Sequence, residues 1–250
     1  MTSFKDHFSV LAAAYARYRP NYPPALFDFL AAAAPARTLA WDCGTGNGQA
    51  AGALAARFAR VVASDPSAAQ IAAATPAANI DYRVEPAEAS SLADTSTDLL
   101  TVAQALHWFD HPRFFAEAAR VLRPGGLLAV WCYEGASGTP AVTPIVQHYY
   151  ADIIAADWPP ERAWVERGYR DFALPFPEEP APAFELAAEW TLAELLGYLG
   201  SMSATRRYAE RVGHDPLDRV RDDLAAAWGD PAARRPIRWP LTLRLARKPG

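Results

Sequence analysis

The chain has 250 residues, enough for one large domain with a sizeable hydrophobic core. Lys and Arg total 24 against 28 Asp and Glu, and the resulting net charge of -4 disfavours binding to nucleic acid or to an anionic membrane. Two cysteines are too few for a disulfide framework or a thiolate zinc site, so we expect a reduced, cytoplasmic setting. No apolar run approaches the about 20 residues of a membrane span, and we expect no membrane partner.

The first half of the chain alternates short apolar runs with helical stretches. The predicted strands cover residues 38–42, 61–65, 80–85, 98–104 and 127–133, and the predicted helices cover 49–60, 67–74 and a segment after Asp110, its N-cap. Crossover helices between consecutive strands predict an α/β fold with a parallel sheet covered on both faces. Ligands bind such sheets at the carboxyl ends of the strands, at Asp42, Asp65 and residues 85–88 and 104–109.

The last third of the chain predicts a different arrangement. Residues 134–183 are rich in proline and aromatic residues and indicate a helical cap or a loop insertion. Residues 184–190 and 237–245 alternate with period two, which predicts an antiparallel strand pair that completes the sheet. Pro240 indicates an irregularity or a non-central position in the second of these strands.

Charged and capping residues predict specific contacts in this last third. Arg238 and Arg244 fall on the outer face of the predicted final strand, where they could pair with Glu185 and Glu189 across the sheet. The T-x-x-E pattern from Thr191 to Glu194 predicts a capping box at the start of a helix, which Gly200 would end.

The glycine-rich stretch WDCGTGNGQ, residues 41–49, has two interpretations. Gly46, Gly48 and Ala51 satisfy the G-x-G-x-x-A fingerprint of a dinucleotide site, with Asp65 at nearly the spacing that holds a ribose hydroxyl. Asp42 counts against a dinucleotide, because a carboxylate at the strand end opposes the pyrophosphate that a helix N-terminus attracts.

With S-adenosylmethionine as the ligand, the charge of the Asp42 carboxylate would be attractive and not repulsive. This ligand has no phosphate and carries an ammonium and a sulfonium, so a carboxylate at Asp42 would help, directly or through water. Glycines at 44, 46 and 48 would let the backbone approach the ligand. Asp65 could accept hydrogen bonds from both ribose hydroxyls.

The chain resembles a class I S-adenosylmethionine-dependent methyltransferase with a type-11 methyltransferase domain. The matching segments run in order along the chain: 15–23, 39–49, 61–67, 84–92, 98–110 and 122–131. The resemblance implies a Rossmann-like, seven-stranded, mostly parallel sheet with helices on both faces, an antiparallel last strand and a helical cap. It divides one domain into a lid segment (1–22), a cofactor-binding half (23–133), cap regions (134–183 and 191–230) and a final strand pair (184–190 and 237–247).

The resemblance also assigns roles to individual residues around S-adenosylmethionine. Gly44, Gly46 and Gly48 would form the cofactor loop next to Asp42, and Asp65 would bind the ribose. The remaining predicted contacts are Ala87 and Glu88 beside adenine, Gln104 and Ala105 on the methionine side, and Tyr15 and Arg19 at the methionine carboxylate. Pro86 departs from the acidic residue that precedes the alanine in many relatives.

Residues outside the cofactor motifs indicate an acceptor site. His107 is either a proton acceptor or substrate contact, or a hydrogen-bonded structural histidine. Trp108 could form a substrate wall or pack against the strand end, and Arg206 and Arg207 could hold an acidic substrate or lie exposed at the surface. His107 and His111 straddle a strand end and a helix start, so we expect no metal site.

The predicted reaction is methyl transfer to an O, N or S atom of a small-molecule acceptor by in-line displacement. The stretch QALH after the fourth strand lacks the Asn/Asp-Pro-Pro-aromatic run used on nucleobase amines, which disfavours a nucleic-acid substrate. A nicotinamide-dependent oxidoreductase and a non-catalytic S-adenosylmethionine-binding sensor or scaffold remain as alternatives. The sequence does not predict an oligomeric state.

Overall fold

Eight strands form one mixed sheet in the computed structural model, which describes residues 19–250. Their order across the sheet is β3-β2-β1-β4-β5-β8-β6, and β7 also pairs with β8. The strands are β1 Leu39–Cys43, β2 Arg60–Asp65, β3 Ile80–Val84, β4 Thr97–Ala103, β5 Leu122–Tyr133, β6 Glu178–Glu179, β7 Phe184–Trp190 and β8 Arg235–Arg247.

The pairing of these strands confirms the predicted mixed topology. Strands β3, β2, β1, β4 and β5 are parallel, whereas β8 is antiparallel to β5, β6 and β7. The chain moves outward from β1 to β3 and then returns to place β4 on the other side of β1. This reversal creates a topological switch point between β1 and β4, where ligand sites of such folds lie.

The eighth strand is the main departure from the predicted seven. It is β6, a two-residue strand inside the segment predicted to be free of strands, and its Glu178 and Glu179 pair with Ala246 and Leu245. Strand β8 spans 13 residues, long enough to pair with β7 through its first half and with β6 near its end.

Nine helices surround the sheet in the described part of the chain. They are α1 Pro24–Ala33, α2 Gln49–Ala55, α3 Ala68–Ala72, α4 His111–Val121, α5 Thr143–His148, α6 Arg162–Glu166, α7 Leu192–Gly200, α8 Ser203–Val212 and α9 Arg221–Trp228. Short 3-10 turns lie at Leu106–Trp108, Ala155–Asp157 and Pro216–Arg219, and a π-helical turn lies at Tyr149–Ile153.

Capping residues determine where several of these helices begin and end. Thr191 and Glu194 form the predicted capping box of α7, and the Asp110 carboxylate accepts a hydrogen bond from the Arg113 backbone at the start of α4. Helix α2 is shorter than predicted, because the Asn79 side chain donates to the carbonyl oxygens of Ala55 and Phe58 and so satisfies its C-terminal end.

The segment 122–126 is also different from its prediction. The fifth strand was predicted to start at Leu127, but β5 begins at Leu122 and includes Pro124, Gly125 and Gly126. The register between β4 and β5 shifts between Thr97 and Leu99, so the extra residues are taken up as a bulge within the strand.

The final strand pair has the predicted faces. Ile237, Trp239, Leu241 and Leu245 are buried. Arg238 forms the predicted ion pair with Glu185, whereas Arg244 pairs with Glu178 of β6. Strand β8 continues through Pro240, which is exposed and lies opposite Glu185.

Alternating residues of the central strands divide the hydrophobic core between the two faces of the sheet. On β5, Leu127, Ala129 and Trp131 join the cluster shared with α1, α2 and the cap helices. Leu128 and Val130 join the opposite cluster with α4 and the segment around α6. Within residues 19–250, no helix is long and apolar enough to cross a membrane.

Candidate functional site

The glycine loop follows β1 and is tied to the end of β2. The backbone N–H groups of Gly44 and Thr45 both donate to the carbonyl oxygen of Ser64, at 2.9 and 3.0 Å. Gly44 has a φ of 69°, and a Cβ at this position would lie 2.7 Å from the Cβ of Ala105. A glycine is therefore required both by the backbone conformation and by the close approach of the chain after β4.

Gly46 lies at the open side of the same loop. Its φ is 56°, and a Cβ added there would meet nothing nearer than the Gln70 Oε1 atom at 3.8 Å. A side chain would thus project into the space in front of the loop, which a ligand at the strand ends would need.

Asp42 is the buried anchor of this loop. Its carboxylate accepts hydrogen bonds from the hydroxyls of Thr45 at 2.5 Å and Thr101 at 2.8 Å. Burial raises the pKa of Asp42 to about 6, although both hydroxyl contacts oppose that shift. The Asp42 side chain is thus fully buried, joins the glycine loop to β4 and uses both of its oxygens in contacts within the protein.

Asp65 ends β2 beside the loop. Its Oδ2 atom accepts a hydrogen bond from the Gly46 backbone at 3.0 Å, and its Oδ1 atom accepts one from the Ser67 backbone at 2.9 Å. The side chain is half-buried. Asp65 and the three glycines are therefore brought together at the switch point, as predicted for a nucleoside-binding loop.

The two residues predicted beside adenine lie after β3. Ala87 is buried. Glu88 is half-buried, and its Oε1 atom accepts a hydrogen bond from the Asp110 backbone at 2.8 Å. Glu88 thus ties the segment after β3 to the start of α4.

Gln104 and Ala105 connect the end of β4 to the rest of the site. Gln104 has a φ of 56°, a conformation that non-glycine residues adopt infrequently. Its side-chain amide donates to the Tyr133 carbonyl at 3.2 Å and accepts from the Tyr133 N–H at 2.8 Å. Ala105 is buried against Gly44, so the ends of β1, β4 and β5 are fixed relative to one another.

A cavity that is partly open to solvent lies between these strand ends and the cap. Its walls come from the ends of β4 and β5, the segment around α6, and α7 with the residues after it. The lining side chains include Arg19, Gln104, His107, Trp108, Tyr133, Glu134, Tyr150, Trp158, Arg162, Tyr198 and Met202.

His107 forms part of the cavity wall but is largely buried. Its Nδ1 atom lies 2.8 Å from the Tyr169 hydroxyl. Burial lowers the pKa of His107 to about 3, with smaller contributions from the charges of Arg162 and His111. The imidazole is therefore neutral near pH 7, and a group with this pKa is a weak base there.

The predicted substrate residues occupy different places. Trp108 lines the cavity and is 36% exposed. Arg206 lies on α8, pairs with Glu210 at 3.5 Å and lines a separate surface depression near Gly213. The hydrogen-bonded Arg211 guanidinium lowers the pKa of Asp157, and the charge of Arg207 adds a smaller effect in the same direction.

Of the two residues predicted at the methionine carboxylate, the structure describes only Arg19. Arg19 lines the cavity and donates to the Tyr133 hydroxyl at 2.9 Å, whereas Tyr15 lies outside the described residues. Sequence reasoning missed Arg162, although its position between two tryptophans of the cap was an available signal.

His107 and His111 have different partners, Tyr169 and the Leu106 carbonyl, and no metal-binding group of three or more His, Cys, Asp or Glu residues occurs within residues 19–250.

Comparisons with known proteins agree with this geometry. A family profile described as a methyltransferase domain matches residues 41–130. A Dictyostelium discoideum protein described as a methyltransferase is 32% identical over 231 residues, 91% of this chain and 88% of that protein. An uncharacterized methyltransferase of Mycobacterium tuberculosis is 43% identical over 128 residues, 50% of this chain and 51% of that protein.

A solved structure from Anaeromyxobacter dehalogenans, described as a type II methyltransferase, is 45% identical and superposes with a TM-score of 0.89, covering 93% of this chain and 100% of that one. The chain therefore belongs to the S-adenosylmethionine-dependent methyltransferases with a type-11 methyltransferase domain. Its activity is methyl transfer with S-adenosylmethionine as the donor, and the nicotinamide-dependent alternative is not favoured.

Proposed function

We propose that the chain methylates a small-molecule acceptor bound in the cavity between the strand ends and the cap. The cavity itself carries this proposal, because it adjoins the end of β4 and is lined by side chains from both regions. A net charge of -4 provides no electrostatic attraction for a nucleic acid. Two buried free cysteines support a reduced, cytoplasmic setting.

The residues at the switch point fit S-adenosylmethionine. The open space in front of Gly46 and the carboxylate of Asp65 would receive the nucleoside, while Ala87 and Glu88 would flank its base. Gln104, Ala105 and Arg19 would lie on the methionine side. When bound, the cofactor supplies an electrophilic methyl group on a sulfonium.

The remaining task of the protein is alignment and exclusion of water. Effective molarities of about 10⁵–10⁸ M show how much an aligned site can contribute. The cap walls, including Trp108, Tyr150 and Trp158, would hold the acceptor against the strand ends. His107, neutral and bonded to Tyr169, would shape the pocket as a hydrogen-bonding group, because its low pKa makes it a poor proton acceptor near pH 7.

Two measurements together test this function. Calorimetry should detect S-adenosylhomocysteine binding and no comparable NAD binding. Incubation with S-adenosylmethionine labelled at the methyl group should then place the label on members of a small-molecule acceptor library. Label recovered in protein or nucleic-acid substrates and in none of the small molecules would contradict the proposal.

A further inference from the structure

Arg162, the first residue of α6, places a largely desolvated charge at the cavity wall. Its side chain is only 16% exposed, and its guanidinium carbon lies 4.6 Å from the centroid of the Trp158 ring. Its Nε atom is buried and makes no hydrogen bond to any described residue. The ion pair with Glu166 is long, at 3.5 Å, compared with the about 2.7–2.9 Å of a charge-assisted hydrogen bond.

Two other arginines of similar exposure are fully engaged. Arg57, 18% exposed, contacts Asp28 at 2.7 Å and donates to two backbone carbonyls. Arg244, 12% exposed, pairs with Glu178 and donates to the Phe172 carbonyl at 2.8 Å. Leaving a buried N–H donor of a guanidinium, such as the Arg162 Nε, without a partner is unfavourable. Arg162 is the exception among these three, and it is the one that lines the cavity.

The charges around the cavity indicate how much negative charge a ligand bound to Arg162 would carry. Arg19 already donates to the Tyr133 hydroxyl and is the residue proposed for the cofactor side. Glu134 also lines the cavity, and burial raises its pKa, although the charge of Arg162 opposes that shift. A carboxylate carries the single negative charge that one guanidinium can balance, whereas a phosphate dianion would add repulsion from Glu134.

The aromatic walls indicate the rest of the ligand. Trp158 contacts the Arg162 guanidinium and is stacked with the Tyr150 ring at a centroid distance of 6.1 Å and an interplanar angle of 9°. Flat apolar surfaces next to one cation match a planar, apolar body that ends in an anionic group.

We infer that Arg162 binds a carboxylate of the methyl acceptor, whose planar or apolar body packs against Trp158 and Tyr150. Arg162 is thereby assigned as a specificity-determining residue, in place of the Arg206 and Arg207 that the sequence suggested. This inference rests on the proposed function, because it names the class of acceptor for the same cavity. Arg162 would form paired hydrogen bonds to the two carboxylate oxygens.

The test uses protein saturated with S-adenosylhomocysteine and three probes: benzoate, phenylacetate and cinnamate, each compared with its primary amide. Calorimetry and thermal shift should show that at least one carboxylate binds in preference to its amide. Arg162→Gln should weaken that binding by about tenfold or more, while S-adenosylhomocysteine affinity stays unchanged. Arg162→Lys should restore only part of it, because the planar fork is lost.

Arg167→Gln is the matched control, since Arg167 follows α6 directly but is exposed and paired with Asp171. It should leave carboxylate binding unchanged. Equal binding of every acid and its amide would overturn the inference, as would unchanged carboxylate affinity in Arg162→Gln or loss confined to Arg206→Gln. Failure of the wild-type protein to bind S-adenosylhomocysteine would instead refute the proposed function, so the two failures are distinguishable.

Discussion

Asp42 shows how one buried side chain links the fold to the glycine loop. Its carboxylate is fully buried, yet hydroxyls of Thr45 and Thr101 hold it between β1 and β4. In the sequence, this carboxylate was the argument against a phosphate-bearing ligand. The two hydroxyl partners were not predicted, because Thr101 is 59 residues away and reaches Asp42 only through the pairing of β1 with β4.

The raised pKa of Asp42 makes the stability of the protein depend on pH. A carboxyl group whose pKa rises from 3.8 to about 6 on folding stabilises the native state below about pH 4, and this stabilisation is lost as pH rises through 6. The loss amounts to about 3 kcal/mol. Asp42→Asn should therefore show a flatter dependence of unfolding free energy on pH than wild type. Unfolding free energies from urea denaturation that change with pH in the same way for both proteins between pH 4 and 7.5 would disprove the assignment.

The protonation state of the His107 imidazole can be measured directly. Because burial lowers its pKa to about 3, its imidazole should remain neutral from pH 5 to pH 9. NMR titration of the ring resonances should show no protonation step for His107 over this range. A protonation step near pH 6.5 assigned to His107 would restore its candidacy as a general base.

At the scale of elements, the glycine loop combines backbone conformation with close packing. Gly48 has a φ of 87°, and a Cβ there would lie 2.3 Å from the Tyr82 hydroxyl. Gly48→Ala should therefore destabilise the protein by about 2 kcal/mol or more, since the left-handed conformation alone disfavours a side chain by roughly 1–2 kcal/mol. Chemical denaturation and S-adenosylhomocysteine calorimetry should show reduced stability and weaker binding.

Gly52 provides the control for this substitution. It lies inside α2, is exposed, and would place a Cβ within 4 Å of no described atom. Gly52→Ala should stabilise the helix by up to about 1 kcal/mol. Equal effects of the two substitutions would show that the conformation of Gly48 does not matter.

The sequence predicted those elements whose pattern is local. Period-two alternation identified β7 and β8, and T-x-x-E identified the start of α7, because hydrophobic faces and caps depend on neighbouring residues. Strand β6 was missed, since two residues carry no periodicity and Glu178 becomes a strand only by pairing with β8. Arg162 was also missed, although it stands between two tryptophans in the sequence, because only the fold of the cap brings it to strand ends that are distant in sequence.

At the scale of the whole molecule, the cap is tied together by contacts between its separate segments. Arg211 of α8 forms a two-bond pair with Asp157, at 2.8 and 2.6 Å, and holds the 3-10 turn Ala155–Asp157 beside that helix. Tyr149 likewise bonds to Thr205 at 2.7 Å. These contacts position Trp158 and Arg162 over the ends of β4 and β5, so the acceptor cavity depends on the assembly of the cap as a unit.

We expect the glycine loop and the capped cavity to form one site for donor and acceptor. A crystal structure of the protein with S-adenosylhomocysteine would test it most directly. The ribose should lie at Asp65, and the sulfur atom should face the cavity lined by His107 and Arg162. A ligand bound away from the glycine loop, or with its sulfur directed away from that cavity, would contradict the account.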